Sequence, residues 1–388
     1  MKKIICLNPI SEEGLKLLPK NYEKVDDLSQ ATGVLVRSAN MKELELPESL
    51  LAIARAGAGV NNIPIELCAE KGIVVFNTPG ANANGVVESV IAGMLLAARD
   101  IVGGINWVKA NSNQKDLPSL VEKGKKQFSG TELLGKKLGV IGLGAIGYRI
   151  ANAAVGLGME VYGYDPFIPV KFAWNLSRQV QHVDHLDDIL MNCDYITIHV
   201  PLNDKTNKMI NKTAFDKLKD GAVLLNYSRD KLVDEDALEE ALENNKLRKY
   251  VTDFPNDRVI TFNNVIAIPH LGASTEEAED NCAVMAVDEL KDYIDNGNIT
   301  NSVNYPDCSL GVLKKTVRLA VAHKNIPNIL GKLTVLLGNT GVNIADMISK
   351  SKGEYAYALF DLDVDIPSEI LDAIINIEGV IKVRTLSL

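Results

Sequence analysis

Short apolar runs alternate with helically spaced stretches along most of the 388-residue chain. Ile4-Ile5-Cys6-Leu7, Gly33-Val34-Leu35-Val36, residues 52–56 and Val74-Val75-Phe76 read as strands of a parallel sheet buried on both faces, with helices predicted at 11–18 and 65–71. Residues 89–108 are apolar enough to resemble a membrane span. Glu88, Arg99 and Asp100 flank or interrupt them and glycines stand at 93, 103 and 104, so one long buried helix at a subunit interface is predicted instead. A second alternation opens at Gly135, with strands at 137–141, 160–164, 195–199, 222–226, 249–253 and 265–268 and helices at 184–192, 212–217 and 234–244. This is the pattern of a doubly wound α/β sheet.

After Asn296-Gly297-Asn298 the character changes. Residues 304–315 read as a linker, and 316–388 give strand, helix, strand, strand, helix, strand. That βαββαβ order is the ferredoxin-like split arrangement. So short a segment buries little core, and packing against a copy from another subunit, in a homodimer or homotetramer, is expected to stabilise it.

Within the second unit, Gly142, Gly144 and Gly147 form GxGxxG, with Ala145 and Ile146 between them, after an apolar run and before a helix. Gly142 permits a tight turn, Gly144 lets the backbone approach a pyrophosphate, and Gly147 lets helix and strand pack closely. The N–H groups at the helix start supply an anion site. Asp165 ends the next strand, where a carboxylate accepts from an adenosine ribose and repels a 2′-phosphate, and Pro166-Phe167-Ile168 adds no base. NAD is therefore expected over NADP.

A net charge of −9 and the lack of a basic stripe argue against nucleic acid as a partner. The five cysteines form no CxxC pair, so neither a metal site nor a disulfide framework is indicated, and a cytoplasmic location is expected. The N-terminus begins like a signal peptide, but its apolar run stops at Asn8-Pro9 and reads as a first strand.

Two residues stand where strands end. Arg229 follows an apolar run and precedes a helix; its planar fork suits a carboxylate or carbonyl, although pairing with Asp230 or Asp234 would use it equally well. His270 lies behind Pro269, before Ser274 and Thr275. It is either part of a helix cap or a proton shuttle, for which an imidazole, titrating near ~6.5, is suited in both directions.

Together these segments resemble the D-2-hydroxyacid dehydrogenase family over nearly the whole chain. The resemblance implies Arg229 and His270 as catalytic residues, Gly57, Ala58, Gly59 and Asn82 at the substrate carboxylate, and His199, Val200 and Pro201 lining the adenosine pocket. It also implies Thr206, Asn226, Tyr227, Ser228, Asp253 and Gly272 around the cofactor, with Asp253 near the nicotinamide amide. The domains it implies are a substrate lobe at 1–98, completed by about 275–303, and an NAD-binding domain at 99–274. In place of the family's Glu that orients the histidine there is only Asp257, with Asp253 as the other choice.

Arg37-Ser38 resembles the segment with which members acting on 3-phosphoglycerate hold the phosphate, although a surface arginine would look the same. The tail resembles an ACT-type regulatory domain, with His323, Asn325 and Asn343 as candidate L-serine ligands and Asn328 where a Gly is usual. The implied activity is NAD-dependent oxidation of a phosphorylated hydroxy acid, 3-phospho-D-glycerate, at the first step toward L-serine. Another 2-hydroxy acid as substrate, or a non-enzymatic NAD-sensing protein, are the alternatives.

Overall fold

The computed structural model describes residues 1–387. They divide into two compact units, residues 1–82 with 276–387, and residues 83–275. In the first unit β1 (Lys2–Cys6), β2 (Tyr22–Lys24), β3 (Gly33–Val36), β4 (Ala52–Arg55) and β5 (Val74–Asn77) form a parallel sheet of order β2-β1-β3-β4-β5. All four residues of β3 are buried, which is why that run is apolar without alternation. The order reverses between β1 and β3, and in open α/β sheets ligands bind beyond the carboxyl ends at such a point.

The second unit holds β6 (Lys137–Ile141), β7 (Glu160–Tyr164), β8 (Gln181–His182), β9 (Tyr195–Ile198), β10 (Ala222–Asn226), β11 (Leu247–Thr252) and β12 (Val265–Ala267). They are parallel, in the order β12-β11-β10-β9-β6-β7-β8, and the sequence reverses direction between β6 and β9. The predicted helix 89–108 is two helices, Ala83–Ala98 and Ile101–Ala110, because the Asp100 side chain accepts from the Gly103 N–H and caps a new start. The first of them buries Val86, Val87, Val90 and Met94 against Leu138, Val140, Leu225 and Val251 of the second sheet. It therefore belongs to the second unit, and the division expected at 98/99 falls at 82/83. Among the described residues no helix is long and apolar enough to cross a membrane.

The chain returns to the first unit through helix Glu276–Asn296, whose Ala283, Ala286, Val287 and Leu290 pack with Leu35, Ala54 and Phe76. The tail then forms β13 (Val317–Lys324), β14 (Ile344–Lys352), β15 (Tyr355–Leu362) and β16 (Val380–Ser387), antiparallel in the order β14-β15-β13-β16, with helices Ile329–Asn339 and Ser368–Ile375. One face, with Leu319, Val321 and Phe360, meets Ile329, Leu333 and Ile374 of those helices. Ala320, Ala322, Tyr357 and Leu359 of the other join the core of the first lobe beside Phe76 and Tyr293. The same chain, rather than a second copy, thus covers the face that sequence length alone left without a partner.

The expected linker at 304–315 is also part of this joint. Tyr305 is fully buried and donates to the Ala69 carbonyl, while the Asn304 amide accepts from Val75 N–H and donates to Ile73 O, substituting for a neighbouring strand at the edge of β5. Arg318, wholly buried, makes a two-pronged contact with Asp361 at 2.6 and 2.9 Å and donates to Asn296 O and Gly311 O. Every prong has an acceptor, which is the condition for burying a guanidinium.

Glu289, on helix Glu276–Asn296, is buried with one carboxyl oxygen accepting from Asn301 at 2.7 Å and the other unpartnered. Burial pushes its carboxyl up to about 8. Because the folded value lies above the unfolded one, its contribution to stability is full below about 4.5 and is lost as pH rises toward 8. Glu289→Gln should abolish this loss. Unfolding curves taken across that range should show the wild type falling relative to the variant by at most ~1.4 kcal/mol per pH unit, and parallel curves would contradict the burial of an acid here.

Candidate active site

In the second unit the glycine turn lies where strand order reverses. Gly142 has φ +90°, and a Cβ there would meet the His199 carbonyl oxygen at 2.5 Å, so the ends of β6 and β9 touch backbone to backbone. A Cβ on Gly147 would run into the Gly142 carbonyl oxygen, whereas around Gly144 nothing lies within 4 Å. Helix Gly147–Gly156 begins at Ile146 with no side-chain cap, leaving its first N–H groups for a ligand. The Asp165 carboxylate accepts from Leu143 N–H at 2.8 Å and Phe167 N–H at 2.9 Å, tying the turn to the end of β7. His199 is held by Thr197 at 2.7 Å with its other ring nitrogen unpartnered, and burial lowers its pKa to about 3, so the ring is neutral.

Arg229 follows β10 on a loop organised by Asn226. That fully buried amide donates to Arg229 O at 2.8 Å and accepts from Ser228 N–H at 3.1 Å. Ser228 Oγ donates to Ile198 O, and Tyr227 donates to Ser89 O while packing on Gly93. The side chains of Asn226, Tyr227 and Ser228, expected at the cofactor, are thus engaged inside the protein and shape the loop. Thr206 is similar: its hydroxyl donates to Pro201 O at 2.6 Å and closes the loop after β9.

His270 is exposed and has φ +54°, a conformation that costs a non-glycine residue energy. Asp253 holds it there. Its buried carboxylate accepts from the N–H groups of Leu271 at 2.8 Å and Gly272 at 2.9 Å, the two residues that follow His270. Burial raises the Asp253 pKa against the opposing pull of those two bonds. Phe254 stands between the candidate catalytic pair, its ring 4.7 Å from the His270 ring and 5.7 Å from the Arg229 guanidinium. An aromatic directly after the strand-end acid was the only sequence signal for it.

In the first unit the Asn8 side-chain oxygen accepts from three consecutive N–H groups, Arg37, Ser38 and Ala39, at 3.1, 3.0 and 2.9 Å. This fixes the loop after β3 at the point where strand order reverses. Arg55 ends β4 and donates from Nε to Arg37 O at 3.1 Å; its guanidinium fills the space beside Gly57, which has φ +148°. Asn77 donates to Ala58 O at 2.6 Å, so the 57–59 turn is held from the end of β5. Asn82 closes this part of the unit, one residue before helix Ala83–Ala98.

The family profile described as "D-isomer specific 2-hydroxyacid dehydrogenase, NAD binding domain" matches residues 91–272. The chain is 35% identical to the D-3-phosphoglycerate dehydrogenase of Methanocaldococcus jannaschii, over 93% of this chain and 70% of that protein. To the D-3-phosphoglycerate dehydrogenase of Escherichia coli K12 it is 34% identical, over 87% and 82%. The NAD+-bound 3-phosphoglycerate dehydrogenase of Entamoeba histolytica superposes with a TM-score of 0.62 at 31% identity, covering 78% of this chain and 98% of that one.

The chain belongs to the D-isomer specific 2-hydroxyacid dehydrogenases. It is an NAD-dependent dehydrogenase, and the open space over Gly144, the uncapped helix start and the Asp165 carboxylate fit that cofactor. The acid expected to orient the histidine of this dehydrogenase is not where spacing placed it. Asp257 is exposed on a turn tied to helix Glu235–Glu243, where Asn256 donates to Glu235 and Arg258 pairs with Asp236 and Glu239. Among the described residues no carboxylate hydrogen-bonds the His270 ring; Asp253 accepts from the backbone that follows His270 and also feels the charge of its ring.

The three candidate effector residues do not meet either. His323 and Asn325 lie at the end of β13 that pairs with Tyr355, with His323 bonded to Lys324 O and Asn325 to Gly353 O. Asn343 lies beside Asp363 at the opposite end of the sheet, roughly 25 Å away by strand rise.

Gly144 and Gly147 separate binding from folding. Gly144→Val should leave the melting temperature of the ligand-free protein within about 2 °C, as for a substitution that touches nothing, while NADH binding, followed by fluorescence, falls at least ~tenfold. Gly147→Ala should lower both. An unchanged NADH affinity in Gly144→Val would remove this turn from the cofactor site.

Proposed function

We propose that this dehydrogenase oxidises 3-phospho-D-glycerate to 3-phosphohydroxypyruvate with NAD, the entry step toward L-serine. The observation that carries the reading is the Arg37-Ser38 loop, whose backbone Asn8 fixes at the carboxyl edge of the first sheet. Relatives named for this reaction over most of the chain support it. Arg37 and Ser38 take the phosphate, the N–H groups at Gly57, Ala58 and Gly59 with Arg229 take the carboxylate, and neutral His270 accepts the hydroxyl proton. NAD, which the turn at Gly144 and the Asp165 carboxylate would hold, would supply the hydride acceptor for C2. Asp253 acts on the proton acceptor by fixing its turn, since its carboxylate engages the two N–H groups after His270.

The C-terminal βαββαβ sheet is read as an ACT-type domain with L-serine as feedback inhibitor. His323 and Asn325 lie at one end of it and Asn343 at the other, so an effector site using all three needs a second copy of the domain alongside. A signal from the tail would have a packed route into the first lobe, because Tyr357, Leu359 and Phe76 share one core with the helix Glu276–Asn296 that packs on β3 and β4.

Rates of NADH formation with 3-phosphoglycerate, and of NADH loss with phosphohydroxypyruvate, hydroxypyruvate and glyoxylate, test the assignment. Arg37→Gln should lower kcat/KM about 10- to 100-fold for the phosphorylated pair alone. His270→Asn should lower kcat by about 10²–10⁴-fold for every substrate. A preference for glyoxylate, or equal losses with and without phosphate in Arg37→Gln, would move the enzyme to another 2-hydroxy acid.

L-Serine added to the intact enzyme should lower the rate and raise the melting temperature together. If it changes neither, the effector assignment fails while the substrate assignment stands.

A further inference from the structure

The main chain of Arg37 is held on both sides. Its N–H donates to Asn8, and its carbonyl accepts from Arg55 Nε at 3.1 Å and Asn62 Nδ2 at 3.5 Å. Its side chain is engaged by an acid: Arg37 Nη2 lies 2.5 Å from Glu279 Oε1. Glu279 sits in the first turn of helix Glu276–Asn296, where the helix dipole favours a carboxylate.

Both partners remain nearly half exposed, at 44% and 45%, so the pair is solvent-screened and exchangeable rather than a buried fixture. Arg55, Arg37 and Glu279 all act electrostatically on the Cys282 thiol, which places two guanidinium groups and one carboxylate in a single cluster. A phosphate dianion arriving at Arg37 therefore finds that guanidinium already paired.

We propose that Glu279 is a specificity-determining residue, an internal counterion that the substrate's phosphate must displace from Arg37. Displacement has a cost. A substrate that also binds through its carboxylate can meet it, whereas free inorganic phosphate, which gains only Arg37 and Ser38, is disfavoured. Glu279 thus keeps a cationic pocket from filling with common anions and still admits a phosphorylated hydroxy acid. The inference rests on the assignment of Arg37 to the phosphate.

Four enzymes test it: wild type, Arg37→Gln, Glu279→Gln and the double variant, assayed with 3-phosphoglycerate, D-glycerate and inorganic phosphate as inhibitor. Glu279→Gln should lower KM for 3-phosphoglycerate and the inhibition constant of inorganic phosphate by about three- to tenfold. The change should appear in KM rather than kcat, should be absent with D-glycerate, and should vanish in the Arg37→Gln background. An unchanged or higher KM in Glu279→Gln, or an equal shift with and without Arg37, overturns the counterion role. If instead Arg37→Gln fails to distinguish 3-phosphoglycerate from D-glycerate, the phosphate assignment itself falls.

Discussion

The carbonyl oxygen of Gly142 occupies the space that a side chain on Gly147 would need. That contact lets helix Gly147–Gly156 start directly above the end of β6 and aim its uncapped N–H groups over Gly144. It also brings the turn against the backbone of His199, so main chain meets main chain at the point where the sheet reverses its order. Asp165 then fastens the turn to the end of β7 through Leu143 N–H. Substituting any bulkier residue at 142 or 147 would separate these pieces, and the cofactor would lose its phosphate cradle along with the local fold.

The first unit solves the same problem with side chains. Its sheet reverses between β1 and β3, but no glycine-rich turn follows β3. Asn8, from the end of β1, supplies one oxygen to three successive amides and so fixes the Arg37-Ser38 loop across that reversal. Arg55 extends the chain of support from Arg37 O to the space beside Gly57. The result is a set of fixed backbone segments that carry charged side chains at the carboxyl edge of the sheet. Helix Glu276–Asn296 contributes to both ends of this unit, with Glu279 at Arg37 and Asn296 O at the buried Arg318.

Local pattern made the parallel sheets, the glycine turn and the βαββαβ order of the tail legible, because strand period, turn glycines and helix period act over a few neighbouring residues. What escaped were contacts between distant segments. Residues 304–315 read as a linker from Pro306 and their polarity, yet Asn304 completes the edge of β5 through bonds spanning more than two hundred positions. The break at Arg99-Asp100 was visible as a charge in an apolar run, but only the capped Gly103 N–H shows that it ends one helix and starts another. Asp257 was the nearest acid to the place where the family has its Glu, while the turn around it is drawn to helix Glu235–Glu243 by Asn256 and Arg258. Asn8 carried no signal at all, since a lone Asn before Pro reads as a strand terminator.

The proposed transfer of hydrogen from C2 of 3-phospho-D-glycerate to the nicotinamide is tested most directly by isotope. The enzyme would be incubated with NAD and 3-phosphoglycerate carrying deuterium at C2, and the reduced cofactor examined by NMR. Deuterium should appear at one face of nicotinamide C4 with the label conserved. Unlabelled NADH, or no NADH while other 2-hydroxy acids react, would contradict the assignment.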